Sequence, residues 1–339
     1  MNTSSITASI EDPRVSARRI FSMIANELGL VEIEFEKQAR SNIQVIAYLG
    51  DYLRGSGGKR VRPALTLLST FAVGGDASKS NVIRMATVME FLHTATLVHD
   101  DIIDNADTRR NRPSINSRFG NQTAVLMGDW LYMSAFETSL GERSLPVLDI
   151  LTAVTRKMTE GELVQLTVLG RTDITEGQYL DILERKTAYL FSACCEIGAI
   201  LGHSAAAERE ALRDYGMNLG TAFQLVDDLL DFTATNETLG KAAGADLIEG
   251  KVTLPLIYLL ESEPSLHSSL QSIIRDGKYA GPSRASLMDA LETTGALERA
   301  KERALEFAET ARSALSVLPN SKYREALESI PTYILEREN

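Results

Sequence analysis

Two aspartate-rich segments contain the residues of this sequence that are best suited to chemistry. Both carry the pattern Asp-Asp-x-x-Asp, and their members are Asp100, Asp101, Asp104, Asp227, Asp228 and Asp231. On a helix the three carboxylates of such a pattern lie within an arc of about 100°. Aliphatic residues flank both motifs. Each helix would therefore present one concentrated acidic stripe on an otherwise apolar surface.

An acidic helical stripe is often only a solvated surface, and that alternative has to be weighed first. Solvated faces usually carry partners such as Lys or Glu at the i+4 positions, whereas these motifs have aliphatic neighbours and no compensating base close by. Crowded carboxylates on a buried helix repel one another and lose hydration unless cations neutralise them. Oxygen ligands without His or Cys select Mg²⁺, which keeps several waters and binds substrate phosphate. The pair of motifs therefore predicts a magnesium clamp for a phosphate-bearing ligand.

Basic residues collect beside both acidic motifs, as an acidic protein that binds phosphate requires. The segment Gly57–Pro63 (GGKRVRP) contains three cations, but it lacks the glycine spacing and the Ser or Thr of a Walker loop. Arginine forks suit bidentate phosphate recognition. Alone, each basic run is typical of a solvated loop, but its position beside an acidic motif favours phosphate binding. The residues concerned are Lys59, Arg60, Arg62, Arg109, Arg110, Arg112, Lys241 and Lys251.

The elements that must position these residues are predicted to be helices. Proline is absent from residues 147–254, and a proline inside a helix costs about 3 kcal/mol. His93 precedes Asp100 by almost two helical turns, which places it on the same stripe. Strand signals are weak, and good helix formers dominate 82–104, 147–168, 176–202, 207–232, 252–262 and 285–317. We therefore predict an all-α fold, with residues 1–12 as a flexible tail and 13–339 as a single catalytic domain.

Composition excludes several other classes of protein. The 339 residues are 44% hydrophobic and 24% charged, which is globular, and the net charge of −11 argues against a duplex nucleic-acid binder. No apolar run is long enough to span a membrane, and the N-terminus lacks a secretory signal. Cys194 and Cys195 are the only cysteines, too few for a disulfide framework or a four-ligand zinc site. We expect a cytoplasmic protein.

Three elements together carry a family resemblance. The GGKRVRP segment, the first aspartate motif with Arg109-Arg110 after it, and DDLLD followed by GKxxGxDxxxGKxTLP resemble the trans-isoprenyl diphosphate synthases. The resemblance extends from about residue 20 to the C-terminus. It implies a single large bundle of antiparallel helices around a deep central cavity, and commonly a homodimer. It also implies an enzyme that adds isopentenyl diphosphate head-to-tail (1'-4) to an allylic diphosphate with Mg²⁺ as its cofactor.

The resemblance also implies roles for individual residues. The principal metal ligands would be Asp100, Asp104 and Asp227, with support from Asp101, Asp228 and Asp231. Lys186 joins these carboxylates in the expected catalytic set. Expected contacts to the allylic diphosphate are Arg109, Lys186, Thr187, Gln224, Lys241 and Lys251. Expected contacts to isopentenyl diphosphate are Lys59, Arg62, His93 and Arg110. The departing diphosphate is the family's usual proton acceptor, so no protein base is required.

Ala95 and Thr96, the fifth and fourth residues before Asp100, are expected to set the product length. In this family bulky residues there form a floor that stops the growing chain, and small ones leave a tunnel for hexaprenyl to decaprenyl products. The segment Met89–Leu97 is similar to bacterial octaprenyl diphosphate synthases, which make quinone side chains. We therefore expect an octaprenyl product. Ala95 could instead be a packing alanine above a deeper floor.

Other functions remain as alternatives at this stage. One is a shorter-chain farnesyl or geranylgeranyl synthase. A class I terpene cyclase also uses aspartate-rich helices and Mg²⁺, but it would not need Lys59, Arg62 and Arg110 for a second diphosphate. A non-catalytic subunit of a heteromeric synthase is expected to have lost one aspartate motif, and here both are intact.

Overall fold

Helices make up nearly all of the regular structure of the described residues. The computed structural model describes residues 13–39, 43–48, 60–109, 112–233, 244–279 and 281–336. The first helices are α1 (Pro13–Ser22), α2 (Ala25–Gln38), α3 (Val61–Ala72), α4 (Ser80–Ile103), α5 (Ile115–Phe119), α6 (Asn121–Leu140), α7 (Leu145–Val168) and α8 (Glu176–Leu183). The later ones are α9 (Tyr189–Leu201), α10 (Ala206–Thr233), α11 (Ala245–Ile248), α12 (Leu254–Ser262), α13 (His267–Asp276), α14 (Arg284–Thr293), α15 (Ala296–Ala314) and α16 (Lys322–Leu335).

Short irregular elements complete the described chain. Strands β1 (Thr108–Arg109) and β2 (Arg112–Pro113) form a small antiparallel ladder after the first aspartate motif. A π-helical turn spans Glu184–Ala188, and 3₁₀ turns span Pro264–Leu266 and Leu315–Val317. This π turn interrupts the helix predicted at 176–202.

A glycine divides the helix predicted at 285–317. Gly295 has a φ of +69° and separates α14 from α15. That backbone conformation is open to glycine but costly for other residues, so the good helix formers on either side cannot continue through it. The tail predicted at residues 1–12 lies outside the described residues.

Helices α4 and α6 pack side by side in opposite directions. Near one end the His99 Nε2 atom lies 3.1 Å from the Val125 carbonyl oxygen, and near the other the guanidinium of Arg84 pairs with Glu142. Gly128 permits the close approach, because a Cβ at that position would fall 2.1 Å from His99 Nε2. This pairing fixes the C-terminal half of α4, which carries the first aspartate motif.

Helices α9 and α10 are also antiparallel and approach closely through glycine. A Cβ on Gly220 would lie 2.6 Å from the Cα of Ala188, and one on Gly216 would lie 2.6 Å from the Phe191 carbonyl oxygen. These contacts press α10 against the π turn, one helical turn before Gln224. The second aspartate motif is thereby held beside the residues of the π turn.

A continuous apolar core joins the helices. Its largest fully buried side chains include Tyr215, Phe91 and Phe191, and the core runs from α1 to α16. Burial on this scale is the dominant favourable contribution to folding. Among the described helices, none combines the length and apolar character needed to cross a bilayer. The predicted all-α helical bundle is confirmed.

Candidate active site

Both aspartate motifs border one cavity of about 870 Å³. Its walls come from α1, α3, α4, β1, α7, α8 and the segment between them, the π turn, α10, α11 with the segment that follows it, and α16. Twelve of the residues to which the family resemblance gives a role line it, namely Arg62, His93, Thr96, Asp100, Arg109, Lys186, Thr187, Gln224, Asp227, Asp228, Asp231 and Lys251. The structure thus brings together residues that are up to 189 positions apart along the chain (62 to 251). Lys59, Arg110 and Lys241 lie outside the described residues.

The three carboxylates of the first motif occupy different environments. Asp100 lines the cavity. Asp101 is buried beside it; its Oδ1 accepts a hydrogen bond from Arg109 Nε at 2.7 Å and forms an ion pair with Arg109 Nη2 at 2.7 Å. Asp104 lies near the surface, with its Oδ2 3.5 Å from Lys251 Nζ. Asp101 therefore orients Arg109, which lines the cavity. Asp104 approaches Lys251, which follows the second aspartate motif in the sequence.

The three carboxylates of the second motif also have different contacts. Asp227, Asp228 and Asp231 all border the cavity. The carboxylate of Asp231 accepts from the backbone N–H groups of Ala245 and Asp246 at 3.2 and 3.3 Å, and its carbonyl accepts from Gly244 N–H at 2.7 Å. Asp231 thus anchors the chain where it begins α11, ahead of Lys251.

Lys186 meets a carboxylate that the sequence analysis missed. Its Nζ lies 2.6 Å from Glu162 Oε2 and donates to Gln165 Oε1 at 2.9 Å. Glu162 and Gln165 are three residues apart on α7, so they share a helix face. That spacing was the available signal, but only tertiary packing shows that the face meets Lys186.

Asp228 lies at the end of a hydrogen-bonded chain of side chains. Thr187 Oγ1 donates to Gln224 Oε1 at 2.9 Å, and Gln224 Nε2 donates to Asp228 Oδ1 at 2.9 Å. Tyr179 donates its hydroxyl to Asp228 Oδ2 at 2.6 Å. Tyr179 was not predicted, and no spacing in the sequence distinguishes it from other helical tyrosines.

The basic segment at the start of α3 uses its arginines in two ways. Arg60 pairs with Glu32 and, at 3.1 Å, with Glu90, so its charge is shared with two carboxylates. Arg62 lines the cavity with its guanidinium 5.0 Å from the centre of the Phe191 ring. His93 borders the same cavity from α4. This end of the cavity therefore presents Arg62 and His93.

The two residues expected to set product length differ in position. Thr96 lines the cavity. Ala95 is fully buried in the core of α4 and is not part of the cavity wall. A side chain larger than alanine at position 95 would have to displace core atoms before it reached the cavity.

Burial shifts the protonation of the cavity carboxylates. Desolvation, reinforced by Glu162 and Asp104 and opposed by Lys186 and Arg109, raises the pKa of Asp100 to about 6. Desolvation likewise raises the pKa of Asp228 to about 6, against the hydrogen bonds from Tyr179 and Gln224. For Lys251 burial disfavours the charge, but Asp104, Glu249 and Asp246 outweigh it, so the pKa is raised.

These shifts predict a pH dependence of stability for the metal-free protein. An unfolded Asp titrates near pH 4, whereas folded Asp100 titrates near pH 6. Between pH 4 and pH 6 the folded state binds more protons at Asp100 than the unfolded state does. The free energy of unfolding therefore falls as the pH rises through this range. We expect Asp100→Asn to raise the Tm relative to the parent by about 2 °C or more at pH 7.5 in EDTA, and by little at pH 4. Thermal unfolding across this range checks it, and a difference that does not grow with pH would contradict it.

The donor set of the cavity fits Mg²⁺. Carboxylate oxygens dominate it, as hard cations prefer. Within the described residues, no three His, Cys, Asp or Glu side chains converge closely enough to hold an ion by themselves. Mg²⁺ usually keeps several waters and is bound through one or two carboxylates together with substrate phosphate. An arrangement of separated carboxylates around a cavity is compatible with that mode of binding.

Comparison with known proteins assigns the chain to a family of transferases. The family model "Polyprenyl synthetase" matches residues 43–290. The chain therefore belongs to the polyprenyl synthetase family, and the protein is a prenyltransferase. The family resemblance inferred from the motifs is confirmed.

Particular relatives cover nearly the whole chain. The octaprenyl diphosphate synthase of Escherichia coli (strain K12) is 38% identical over 327 residues, covering 96% of this chain and 100% of that protein. The octaprenyl diphosphate synthase of Haemophilus influenzae is 39% identical, covering 88% and 91%. The crystal structure of a polyprenyl synthase from Caulobacter crescentus CB15, complexed with calcium and isoprenyl diphosphate, superimposes with a TM-score of 0.89 at 34% identity, covering 95% and 98%.

Proposed function

We propose that this enzyme elongates an allylic diphosphate with isopentenyl diphosphate to give a long-chain, all-trans polyprenyl diphosphate, octaprenyl diphosphate in particular. The observation that carries the proposal is that both aspartate motifs and basic side chains from several separate segments border one cavity. The similarity to two octaprenyl diphosphate synthases supports the product length. Use of the product for quinone side chains and a cytoplasmic location remain predictions from the sequence.

The reaction needs a site that stabilises a leaving diphosphate. The C1–O bond of the allylic substrate breaks, and C1 bonds to C4 of isopentenyl diphosphate. A proton then leaves C2 of the isopentenyl unit, and we propose that the departing diphosphate accepts it. Bound Mg²⁺, held by Asp100, Asp104 and Asp227, would neutralise charge on the diphosphate oxygens. Around it, the chain supplies cations that stabilise the same developing charge.

The basic residues that we assign to the substrates fall into two groups. We assign Arg109, Lys186 and Lys251 to the allylic diphosphate, because they lie beside the aspartate motifs. Arg62 and His93 are assigned to isopentenyl diphosphate. Lys186 is held by Glu162 and Gln165 without substrate, so its ammonium has to exchange these partners for phosphate oxygens.

Apolar cavity walls would protect the allylic cation. Leu97, Leu183, Phe223 and Leu230 line the cavity between the charged groups. Such a surface excludes the water that would otherwise capture the cation. The same surface gives the growing prenyl chain an apolar environment.

The function can be tested in one incubation. Purified protein is mixed with Mg²⁺, farnesyl diphosphate and isopentenyl diphosphate, and the prenyl diphosphates are sized by mass spectrometry. We expect a series of intermediates that ends at octaprenyl diphosphate. Termination at geranylgeranyl length, or at farnesyl length when geranyl diphosphate replaces farnesyl diphosphate as the primer, would contradict the long-chain assignment. A hydrocarbon product would indicate a cyclase, and no turnover with either primer would indicate a non-catalytic subunit.

An apolar face on α6 and α7 supports the predicted homodimer. Leu126 and Met133 on α6 are 68% and 62% exposed, and Leu145 and Leu163 on α7 are 72% and 59% exposed. Monomeric proteins rarely expose so many large apolar side chains on neighbouring helices. We propose that a second copy of this chain covers this face through a two-fold interface.

Placing a charge on this face is expected to separate the dimer. In a two-fold interface Met133→Arg would introduce one cation from each subunit, so the cost of burying a charge in the apolar interface is incurred twice. Light scattering after size exclusion should change from twice the 37.1 kDa chain mass to a single chain. Val317→Arg, at another exposed apolar position, should leave the dimer intact. A monomeric parent, or a dimer that survives Met133→Arg, would count against the interface.

A further inference from the structure

Tyr179 is a buried tyrosine whose hydroxyl contacts the second aspartate motif. The hydroxyl donates to Asp228 Oδ2 at 2.6 Å, while Gln224 Nε2 donates to Asp228 Oδ1 at 2.9 Å. Tyr179 is 7% exposed and Asp228 is 8% exposed. Both oxygens of this buried carboxylate therefore accept hydrogen bonds from neutral donors, which fixes the plane of the carboxylate.

The network continues to the π turn. Thr187 Oγ1 donates to Gln224 Oε1 at 2.9 Å, which leaves the amide nitrogen of Gln224 to face Asp228. Hydrogen bonds are therefore donated in sequence from Thr187 of the π turn to Gln224 and from Gln224 to Asp228, both on α10. Tyr179 donates to the same Asp228 carboxylate from α8. Three elements that line the cavity are joined at Asp228.

The helix that carries Tyr179 is itself firmly anchored. Thr175 caps α8 with Gln178 in a reciprocal capping box. Glu176, in the first turn, accepts from the Tyr258 hydroxyl and from Arg303 Nε, both at 3.0 Å. These bonds tie α8 to α12 and α15. The hydroxyl of Tyr179 thus reaches Asp228 from a helix whose start is held by its own capping box and by two side chains from other helices.

We propose that Tyr179 is a positioning residue for the second aspartate motif. Its hydroxyl holds Asp228, and Asp228 in turn sets the face of α10 on which Asp227 approaches the cavity. The two aspartates are adjacent, so they are separated by about 100° around the helix. If the hydroxyl is lost, one oxygen of a buried carboxylate is unsatisfied, and the carboxylate turns or recruits water. Because the inference concerns metal-dependent diphosphate binding, it rests on the proposed function.

Tyr179→Phe tests this role by removing a single hydroxyl. The measurement is the affinity for inorganic diphosphate in the presence of Mg²⁺, determined by titration calorimetry and therefore independent of turnover. We expect the affinity to fall by about three- to tenfold, the effect of one hydrogen bond. The matched control is Tyr215→Phe, because Tyr215 is equally buried and donates to the Leu327 carbonyl at 2.7 Å, away from the cavity. Its affinity should equal that of the parent.

A double-mutant cycle separates positioning from a direct contact. If Tyr179 acts only through Asp228, adding Tyr179→Phe to Asp228→Asn should change the diphosphate affinity by less than about twofold. Full additivity would overturn the inference, as would parent-like binding by Tyr179→Phe or an equal loss in Tyr215→Phe. A parent protein that binds no diphosphate with Mg²⁺ would instead overturn the proposed function, and the inference with it.

Discussion

Replacement of Asp100 by alanine is expected to lower kcat by about two to three orders of magnitude. Asp100 is the member of the first motif that lines the cavity. We assign it as a metal ligand, so its loss removes charge stabilisation at the leaving diphosphate. Isopentenyl diphosphate incorporation at saturating Mg²⁺ is the measurement.

Unfolding is not expected to explain this loss. Burial raises the pKa of Asp100, which means that the ionised carboxylate opposes folding at neutral pH. The alanine variant should therefore unfold at a temperature no lower than that of the parent. Asp289→Ala, which changes an exposed aspartate on α14, serves as the control and should retain parental turnover. A rate within tenfold of the parent in Asp100→Ala would contradict the metal-binding assignment.

Replacement of Ala95 by phenylalanine is expected to shorten the product from octaprenyl to farnesyl or geranylgeranyl length. Position 95 lies about 7.5 Å along α4 from Asp100, measured as five helical rises. Its neighbour Thr96 borders the cavity. A phenyl ring there would have to displace core atoms to reach the path of the growing chain, while the aspartate motifs stay intact. Product length by mass spectrometry, with geranyl diphosphate as the primer, measures the effect.

Because Ala95 is buried, a second variant at the cavity wall is needed to separate a shorter tunnel from a loss of stability. Extra carbon atoms in a packed core typically cost about 1–3 kcal/mol, so Ala95→Phe can lose stability as well as tunnel length. Thr96→Phe places a ring directly at the cavity wall and should shorten the product without entering the core. Ala86→Phe, at a fully buried alanine of α4 that does not line the cavity, controls for overpacking. Full-length product from both Ala95→Phe and Thr96→Phe would place the floor elsewhere.

The helical architecture was predictable because its signals are local. Scarce proline, good helix formers and weak strand signals predicted the long helices, and α4, α7 and α10 lie close to their predicted bounds. The errors occurred where backbone geometry depends on one residue or on a neighbour. Gly295 divides the last long segment. The π turn at Glu184–Ala188 packs against Gly161 of α7, and no propensity in its own sequence indicates that contact.

The composition of the site was predictable for a related reason. Carboxylates at i, i+1 and i+4 share a helix face whatever the helix packs against. Two acidic stripes with adjacent basic runs therefore indicated magnesium and phosphate before any fold was known. Spacing along the chain could not show which side chains or backbone groups each carboxylate contacts.

The sequence by itself determined the helices, the two acidic faces and the class of chemistry, because each depends on residues within a few turns of one another. Only the tertiary structure decided which carboxylate does what. Asp101 holds Arg109, Asp228 holds Tyr179 and Gln224, and Asp231 holds the backbone before α11. It also brought Glu162 to Lys186. These assignments depend on how each helix is rotated against its neighbours, and that rotation is set by close contacts between distant segments, such as Gly220 on Ala188.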